Sequence, residues 1–382
     1  MTKSKVALVR CESYDEAEVS AAVSRGAWLL GGISGFVKPG ERITMKPNLL
    51  IASGPEKSVT THPAVFKAVG LLLQQTGARV FYGDSPSIGA CELNFKLSGL
   101  KQIGDELGFT LADFDHGREV LHKTARLNMK FVIANGALDS DGMVSLPKFK
   151  THGLTRFTGA VKNQFGCVPG ILKGQFHAKM ADPYEFAAML VDLNTYLRPR
   201  LYIMDGISAM EGNGPRNGKP RQMNVLLFSS DPIALDAAAC RMIDLNPEFV
   251  PTSTAGEKAG LGTYHSENIE LLGDDIESFT VKDFDVVKAP PERIVPGRVF
   301  AFIRNRITPR PAIDSVKCTA CGTCIEMCPI GPTALDWTLA EAGRVPKHNY
   351  DKCIRCYCCQ ETCPEGAITI QNPPLSKLLF RA

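Results

Sequence analysis

Eight cysteines of this chain fall into two copies of one spacing. The first runs Cys318-x-x-Cys321-x-x-Cys324-x-x-x-Cys328-Pro329, and the second Cys353-x-x-Cys356-x-x-Cys359-x-x-x-Cys363-Pro364. Three thiolates with two residues between neighbours follow one tight loop and cap three corners of an iron–sulfur cube. The fourth opens a short helix too far along to reach the same cube comfortably, so it crosses to the other cluster. The spacing therefore predicts two [4Fe–4S] centres. Cys318, Cys321, Cys324 and Cys363 hold one, and Cys353, Cys356, Cys359 and Cys328 hold the other. Zinc ribbons use paired Cys-x-x-Cys, with no third cysteine at the same step and no Cys-Pro after it. A disulfide framework needs an oxidising compartment, for which nothing else in the chain argues.

Along its whole length this segment resembles the two-cluster bacterial ferredoxin domain. It departs from the smallest ferredoxins in a longer insert, Asp336–Tyr350, and in an extra thiol, Cys358, beside Cys359. Cys358 is expected to be a small buried residue rather than a ligand. Of the 13 cysteines, Cys11, Cys91, Cys167 and Cys240 also lie outside the motifs, and Cys167 is expected to be an inert buried thiol. Cubane clusters and free thiols together point to a reducing cytoplasm in an organism living with little oxygen.

The remaining length is enough for a second, larger domain with its own core. A net charge of +3 is too small to imply nucleic acid or an anionic membrane as partner. No run approaches the roughly 18 apolar residues a membrane span needs. The start leads straight into a strand-like run, from which no signal peptide is expected.

Strand-like and helix-like segments alternate through the first two-thirds, which predicts an α/β domain with a mainly parallel sheet. Strands are expected at Val6–Val9, Arg42–Met45, Arg79–Tyr82, Thr110–Phe114, Phe131–Ala134, Met143–Leu146, Leu201–Met204 and Val225–Phe228. Helices are expected at Asp15–Leu30, Ala64–Gln75 with Thr61 as N-cap, Leu97–Leu107, Pro183–Tyr196 and Pro232–Ile243. Prolines and arginines interleave between Ala289 and Pro311, the composition of a linker. The division is thus an α/β domain over 1–288, a linker over 289–311, and a small α+β two-cluster domain over 312–382.

Polar residues recur just past the expected strands: Lys46 and Asn48, Asp84 and Ser85, Lys148 to His152, Asp205, and Asp231. In an open parallel sheet such ends converge on one edge, where ligands bind. Lys46, Lys148, Lys150, Lys162 and Lys173, with Asn48 and Asn163, are donors for carboxylate or phosphate oxygens. His62, His152 and His177 can carry protons near neutral pH. Asp84, Asp205, Glu211 and Asp231 orient these groups or bind a cation, although Asp84 and Asp231 serve equally well as helix caps. The Gly212-x-Gly214 loop is a poor dinucleotide fingerprint, with the wrong spacing to its third glycine.

Several strings in order resemble the family known as domain of unknown function 362. They are Lys46-Pro47-Asn48-Leu49, Thr60-Thr61-His62-Pro63, Gly83-Asp84-Ser85-Pro86, Lys148-Phe149-Lys150-Thr151-His152, Thr158-Gly159-Ala160-Val161-Lys162-Asn163, Gly214-Pro215-Arg216 and Asp231-Pro232-Ile233-Ala234-Leu235-Asp236. The resemblance covers roughly Val6 to Gly273. It implies kinship to proteins of anaerobic bacteria and archaea often fused to a two-cluster ferredoxin, and it implies no reaction. The expectation is an iron–sulfur oxidoreductase or electron-transfer subunit served by a redox partner protein. Its crevice would hold an anionic ligand, with Lys150, His62 and His152 as the catalytic candidates. Two alternatives stay open: an electron carrier whose large domain only docks to a redox complex, and a non-redox enzyme with structural or sensing clusters.

Overall fold

The computed structural model describes residues 3–170, 172–293, 305, 308–337 and 345–373. Most of the expected linker therefore lies outside the described residues. Among the described residues twelve strands precede it: β1 (Ser4–Arg10), β2 (Arg42–Pro47), β3 (Arg79–Tyr82), β4 (Thr110–Leu111), β5 (Gly117–Leu121), β6 (Lys130–Ala134), β7 (Gly142–Leu146), β8 (Lys148–His152), β9 (Arg156–Thr158), β10 (Leu201–Glu211), β11 (Lys219–Ser229) and β12 (Ile269–Gly273). Ten form one sheet, ordered β12-β1-β11-β10-β7-β2-β3-β4, with β8 beside β10 and β9 beside β8. Neighbours β7, β2, β3 and β4 run parallel, as do β10 with β7 and β1 with β12. The fold is a large, mainly parallel α/β domain.

Strand β11 is antiparallel to both β1 and β10, and the short β9 is antiparallel to β8. Asp231, just past β11, therefore falls at the opposite edge from Lys46 and Asp205. There its carboxylate accepts from Ile233 N, Ala234 N and Ser4 Oγ, as the N-cap of helix Pro232–Met242. That corrects its placement in the common crevice. The helix expected over 97–107 is two helices, Cys91–Leu97 and Leu100–Leu107, divided at Gly99 with φ of 77°. The expected cap Thr61 is displaced by His62, whose side chain accepts from Ala64 N, while Thr61 Oγ1 bonds Leu146 O.

Strand β8 decides the site. Pro147 interrupts the run after β7 because it has no N–H for a ladder, yet the chain resumes beside β10, pairing Lys148 with Asp205 and Lys150 with Met210. Alternation along a strand then puts Lys148, Lys150 and His152 on one face and Phe149 on the other, packed against Phe157 and Phe284. Apolar side chains on both faces of the sheet are buried, as layered α/β packing requires.

The tail is a small α+β domain. Strands β13 (Arg310–Ile313) and β16 (Ile368–Gln371) pair antiparallel, as do β14 (Leu335–Asp336) and β15 (Lys347–His348). Helix Cys358–Thr362 and strand β16 touch the α/β domain, Asn213 Nδ2 donating to Ile368 O at 3.0 Å. Gln360 Nε2 bonds Asn213 Oδ1 at 2.7 Å and Gly214 O at 3.1 Å. Arg216 Nη1 bonds Thr362 O at 2.6 Å, and Asn217 Nδ2 bonds Cys363 O at 3.1 Å. The glycine-rich loop at 211–218 is thus a docking platform. Gly214 is required there, since a Cβ would stand 2.3 Å from Thr151 O.

Candidate functional site

Each expected polar residue of the parallel strand ends finds a specific partner. Lys46 Nζ lies 2.8 Å from Asp84 Oδ1 and donates to Pro47 O and Asn163 Oδ1. Asp84 Oδ2 accepts from Leu49 N at 2.7 Å. Both side chains are almost wholly buried, so each charge depends on the other. Gly166 closes over the pair: a Cβ there would sit 1.7 Å from Asp84 Oδ1. Lys148 Nζ donates to Asp205 Oδ2 at 2.6 Å and to Tyr14 Oη at 2.9 Å, and Tyr14 donates to Asp205 Oδ1 at 2.9 Å. Lys46 and Lys148, expected as free cations for an anion, are instead neutralised by their own carboxylates.

Lys150 differs. Its amine is fully buried and donates to Asn48 Oδ1 and Val59 O, both at 2.7 Å, with no carboxylate in ion-pair range among the described residues. Burial, with Lys162 and Lys148 nearby, holds it well below the ordinary lysine range. Lys162 is also lowered by burial, opposed by Glu361. Asn163 joins the two halves of the cluster, accepting from Lys46 and from Asn48 Nδ2 and donating to Ser145 Oγ.

The two histidines are not brought together. His62 stacks on Tyr14, with centroids 3.5 Å apart, and donates its backbone N–H to Asp205. Burial pushes its imidazole down to about 4. His152 Nδ1 accepts from Leu154 N and Thr155 N, which leaves the proton on Nε2. That nitrogen lies 2.9 Å from Glu361 Oε1 of the tail, a close electrostatic contact whose angle falls outside the hydrogen-bond range. Burial and Lys162 push His152 down to about 4. Burial alone would raise the Glu361 carboxyl, but His152, Lys162 and His177 hold it below the usual range. Glu211 stands apart from the crevice, accepting from Asp285 N.

Sequence reasoning missed Tyr14 and Glu361. Tyr14 sits in the short turn after β1, with no motif around it. Glu361 lies inside the second cysteine run, where the thiols drew the reading; its only sign was a charge on a helix of five residues.

In the tail, Cys318, Cys321, Cys324 and Cys363 line one cavity. Cys353, Cys356, Cys359 and Cys328 line a second. Both loops use left-handed residues at the same two positions, Ala320 and Gly322 in one, Arg355 and Tyr357 in the other. Arg355 is held so by bonds to Tyr350 O and Cys353 O, and Tyr357 by its hydroxyl on Pro309 O. Among the described residues no three His, Cys, Asp or Glu side chains converge on a single-ion site; each foursome instead surrounds a space. Cys358 lines a different, interdomain cavity of about 680 Å³. Cys167 is buried, which pushes its thiol up to about 12. Among the described residues no helix is long and apolar enough to cross a membrane.

A mainly parallel α/β domain, its strand edge covered by a domain with two foursomes of thiols, defines a class of fused iron–sulfur proteins. The chain belongs to the family described as domain of unknown function (DUF362), matched over residues 43–241, and its tail matches the 4Fe-4S dicluster domain over 317–367. It is 37% identical over 268 residues to thylakoid-associated protein sll1697 of Synechocystis, covering 70% of this chain and 83% of that one. Among solved structures, the lactate racemase apoprotein of Thermoanaerobacterium thermosaccharolyticum aligns with a TM-score of 0.43 and 11% identity, over 63% of this chain and 57% of that one. A protein of Thermotoga maritima aligns with a TM-score of 0.33 and 12% identity, over 66% and 61%. The chain spans less than two thirds of either.

Proposed function

We propose that this is an iron–sulfur redox protein that exchanges single electrons with an anionic occupant of the crevice beneath its docked tail. The four thiols on each tail cavity fit a [4Fe–4S] cluster: the donor set is all thiolate and the remaining lining is chiefly apolar, with Ile313, Ala367 and Ile368 on one side and Leu335 and Ile354 on the other. In this reading Cys318, Cys321, Cys324 and Cys363 hold one cluster, and Cys353, Cys356, Cys359 and Cys328 the second. Such clusters supply one-electron reduction and oxidation, at potentials set by hydrogen bonds and exposure.

One observation carries the reading. Cys328 and Pro329 belong both to the wall of the second thiol cavity and to the wall of the 680 Å³ interdomain cavity. A molecule in that cavity is separated from the second foursome by a single residue's thickness. The first foursome is the exposed one: Cys321 is open to solvent, and Val316, two residues before Cys318, is 93% exposed, which favours that side for a protein redox partner. Within the crevice, Lys150 and Lys162 supply positive charge, Asn48 and Asn163 hold their positions, and the Lys46–Asp84 and Lys148–Asp205 pairs fix the strand ends. His152, neutral and turned with Nε2 towards Glu361, holds the docked helix and lies on neither cavity wall. His62 is committed to its helix cap. The protein would work in a reducing compartment.

The test is mass spectrometry of small molecules released when anaerobically purified protein is denatured. A stoichiometric anion supports the reading. Iron and sulfide alone, in a protein that co-purifies with a larger redox complex, would replace it with a docking electron carrier.

A further inference from the structure

Two cavities adjoin at the docked edge. The smaller is walled by Asn48, Ser85, Lys150, Lys162, Asn163 and Lys173. The larger shares Ser87, Phe165 and Lys173 with it and reaches across to Cys328 and Pro329. Together they run from the strand ends to the second set of thiols.

Their charges do not balance. Three lysines face the smaller cavity, and none has a carboxylate within ion-pair distance among the described residues. Lys150 donates to an amide and a backbone carbonyl. Lys173 donates to Ser85 O, Ser85 Oγ and Val168 O. Lys162 lies 6.0 Å from the centroid of the Phe165 ring. Asp84 on the smaller wall is committed to Lys46, and Glu361 on the larger wall, beside neutral His152, offsets Lys162 only in part. Burial pushes all three amines down, Lys173 to about 8. Ammonium groups crowded in this way gain from an anion, and a doubly charged one answers more of them than a carboxylate does.

The larger cavity has a different character. Phe165 and Phe176 present rings with centroids 6.2 Å apart at 72°, and Met327 and Pro329 close the far side. Lys179, Glu326 and Glu361 line the same cavity, as does His177, only 5% exposed, whose Nδ1 has no hydrogen-bond partner. A buried nitrogen left without a partner is destabilising until a donor pairs with it. The wall therefore suits a planar ring with a polar edge, and its volume suits a nucleotide-sized molecule.

We infer that the adjoining cavities bind one phosphate-bearing heteroaromatic molecule. Its phosphate lies among Lys150, Lys162 and Lys173. Its ring lies against Phe176, within reach of His177 Nδ1 and beside the Cys328–Pro329 wall. This rests on the reading that the crevice holds an anionic redox partner, and it specifies what kind.

The experiment titrates the anaerobically reconstituted full chain with flavin mononucleotide, riboflavin and inorganic phosphate, following flavin fluorescence and calorimetric heat. Flavin mononucleotide is expected to bind with quenching, and riboflavin roughly tenfold more weakly. Lys162→Met should remove that preference, and Phe176→Ala should weaken both flavins. If Phe176→Ala loses iron, Phe176→Leu keeps the apolar volume without the aromatic face. Phosphate binding as tightly as flavin mononucleotide, or flavin affinity untouched at Phe176, overturns the inference and leaves the anion reading standing. Binding of none of the three overturns both.

Discussion

His152 Nε2 lies 2.9 Å from Glu361 Oε1, and the two side chains belong to different domains. His152 is the last residue of β8, and Glu361 lies on the helix between Cys359 and Cys363. The contact ties the lysine-bearing strand to the backbone that carries the second set of thiols. Glu361→Gln removes the charge and keeps the shape. Losing a buried polar partner costs about 1–3 kcal/mol, here charged to docking rather than to folding of either domain. Amide exchange should quicken roughly tenfold at 358–362 and at 212–218, with iron content unchanged. Exchange that stays as slow as in the parent would show that the loop bonds of Gln360 and Arg216 suffice alone.

The Lys46–Asp84 pair is a structural device of the crevice. Removing one partner of a buried pair strands the other charge, at about 3–5 kcal/mol. Lys46→Met should therefore lower the urea midpoint sharply, and Lys46→Met with Asp84→Leu should recover part of the loss. Gly166→Ala should mimic the single variant, because its Cβ lands on Asp84 Oδ1. A single variant as stable as the parent would mean that the charge escapes to solvent.

Much of this site was legible because a parallel sheet sends its strand ends to one edge. Lys46, Asp84, Lys148 and Asp205 could be gathered from that rule alone. Their pairing was not legible, since four charges at one edge look the same whether they bind each other or a ligand. Asp231 was misplaced for a related reason: strand direction leaves no mark on an apolar run, and β11 is antiparallel. The cap of helix Pro63–Gln75 depended on tertiary contact. Thr61 and His62 both offer acceptors, and the bond from Thr61 Oγ1 to Leu146 O decides between them. The docking of the tail was out of reach, because the asparagines and glycines of 211–218 carry no motif until Gln360 meets them.

Acid should weaken the fold through its buried histidines. His62, His152 and His177 are each pushed down to about 4 by burial, from an ordinary value of 6.5. Between those limits the unfolded chain binds protons that the native chain refuses, so stability falls as pH drops from about 6.5 to about 4. Asp236 acts oppositely: burial raises it to about 7, so the native state holds its proton and stability falls as pH rises from 3.8 towards 7. In the α/β domain these three histidines outweigh Asp236 and Asp231, whose carboxyl burial also raises, and leave a net loss on acidification. His177→Gln should flatten the urea-midpoint slope, sparing about 1 kcal/mol at a pH of about 5.5. A slope unchanged by that substitution would sink the assignment of His177 as neutral.

The crossed thiol sets make a sharper demand. If Cys328 serves the set of Cys353, Cys356 and Cys359, then Cys328→Ala should remove the same cluster as Cys353→Ala, although 25 residues of chain separate them. Cys363→Ala should instead match Cys318→Ala. Each variant is expected to retain about half the iron of the parent, and the surviving paramagnetic signal should be the same within each pair and different between pairs. Cys358→Ala, at a residue that lines the interdomain cavity and neither thiol cavity although its thiol neighbours Cys356, should keep all the iron. Electron paramagnetic resonance of the dithionite-reduced variants distinguishes these outcomes. Should Cys328→Ala share its signal with Cys318→Ala, each motif would serve its own cluster. The shared wall at Cys328 would then no longer place the interdomain cavity beside the second set.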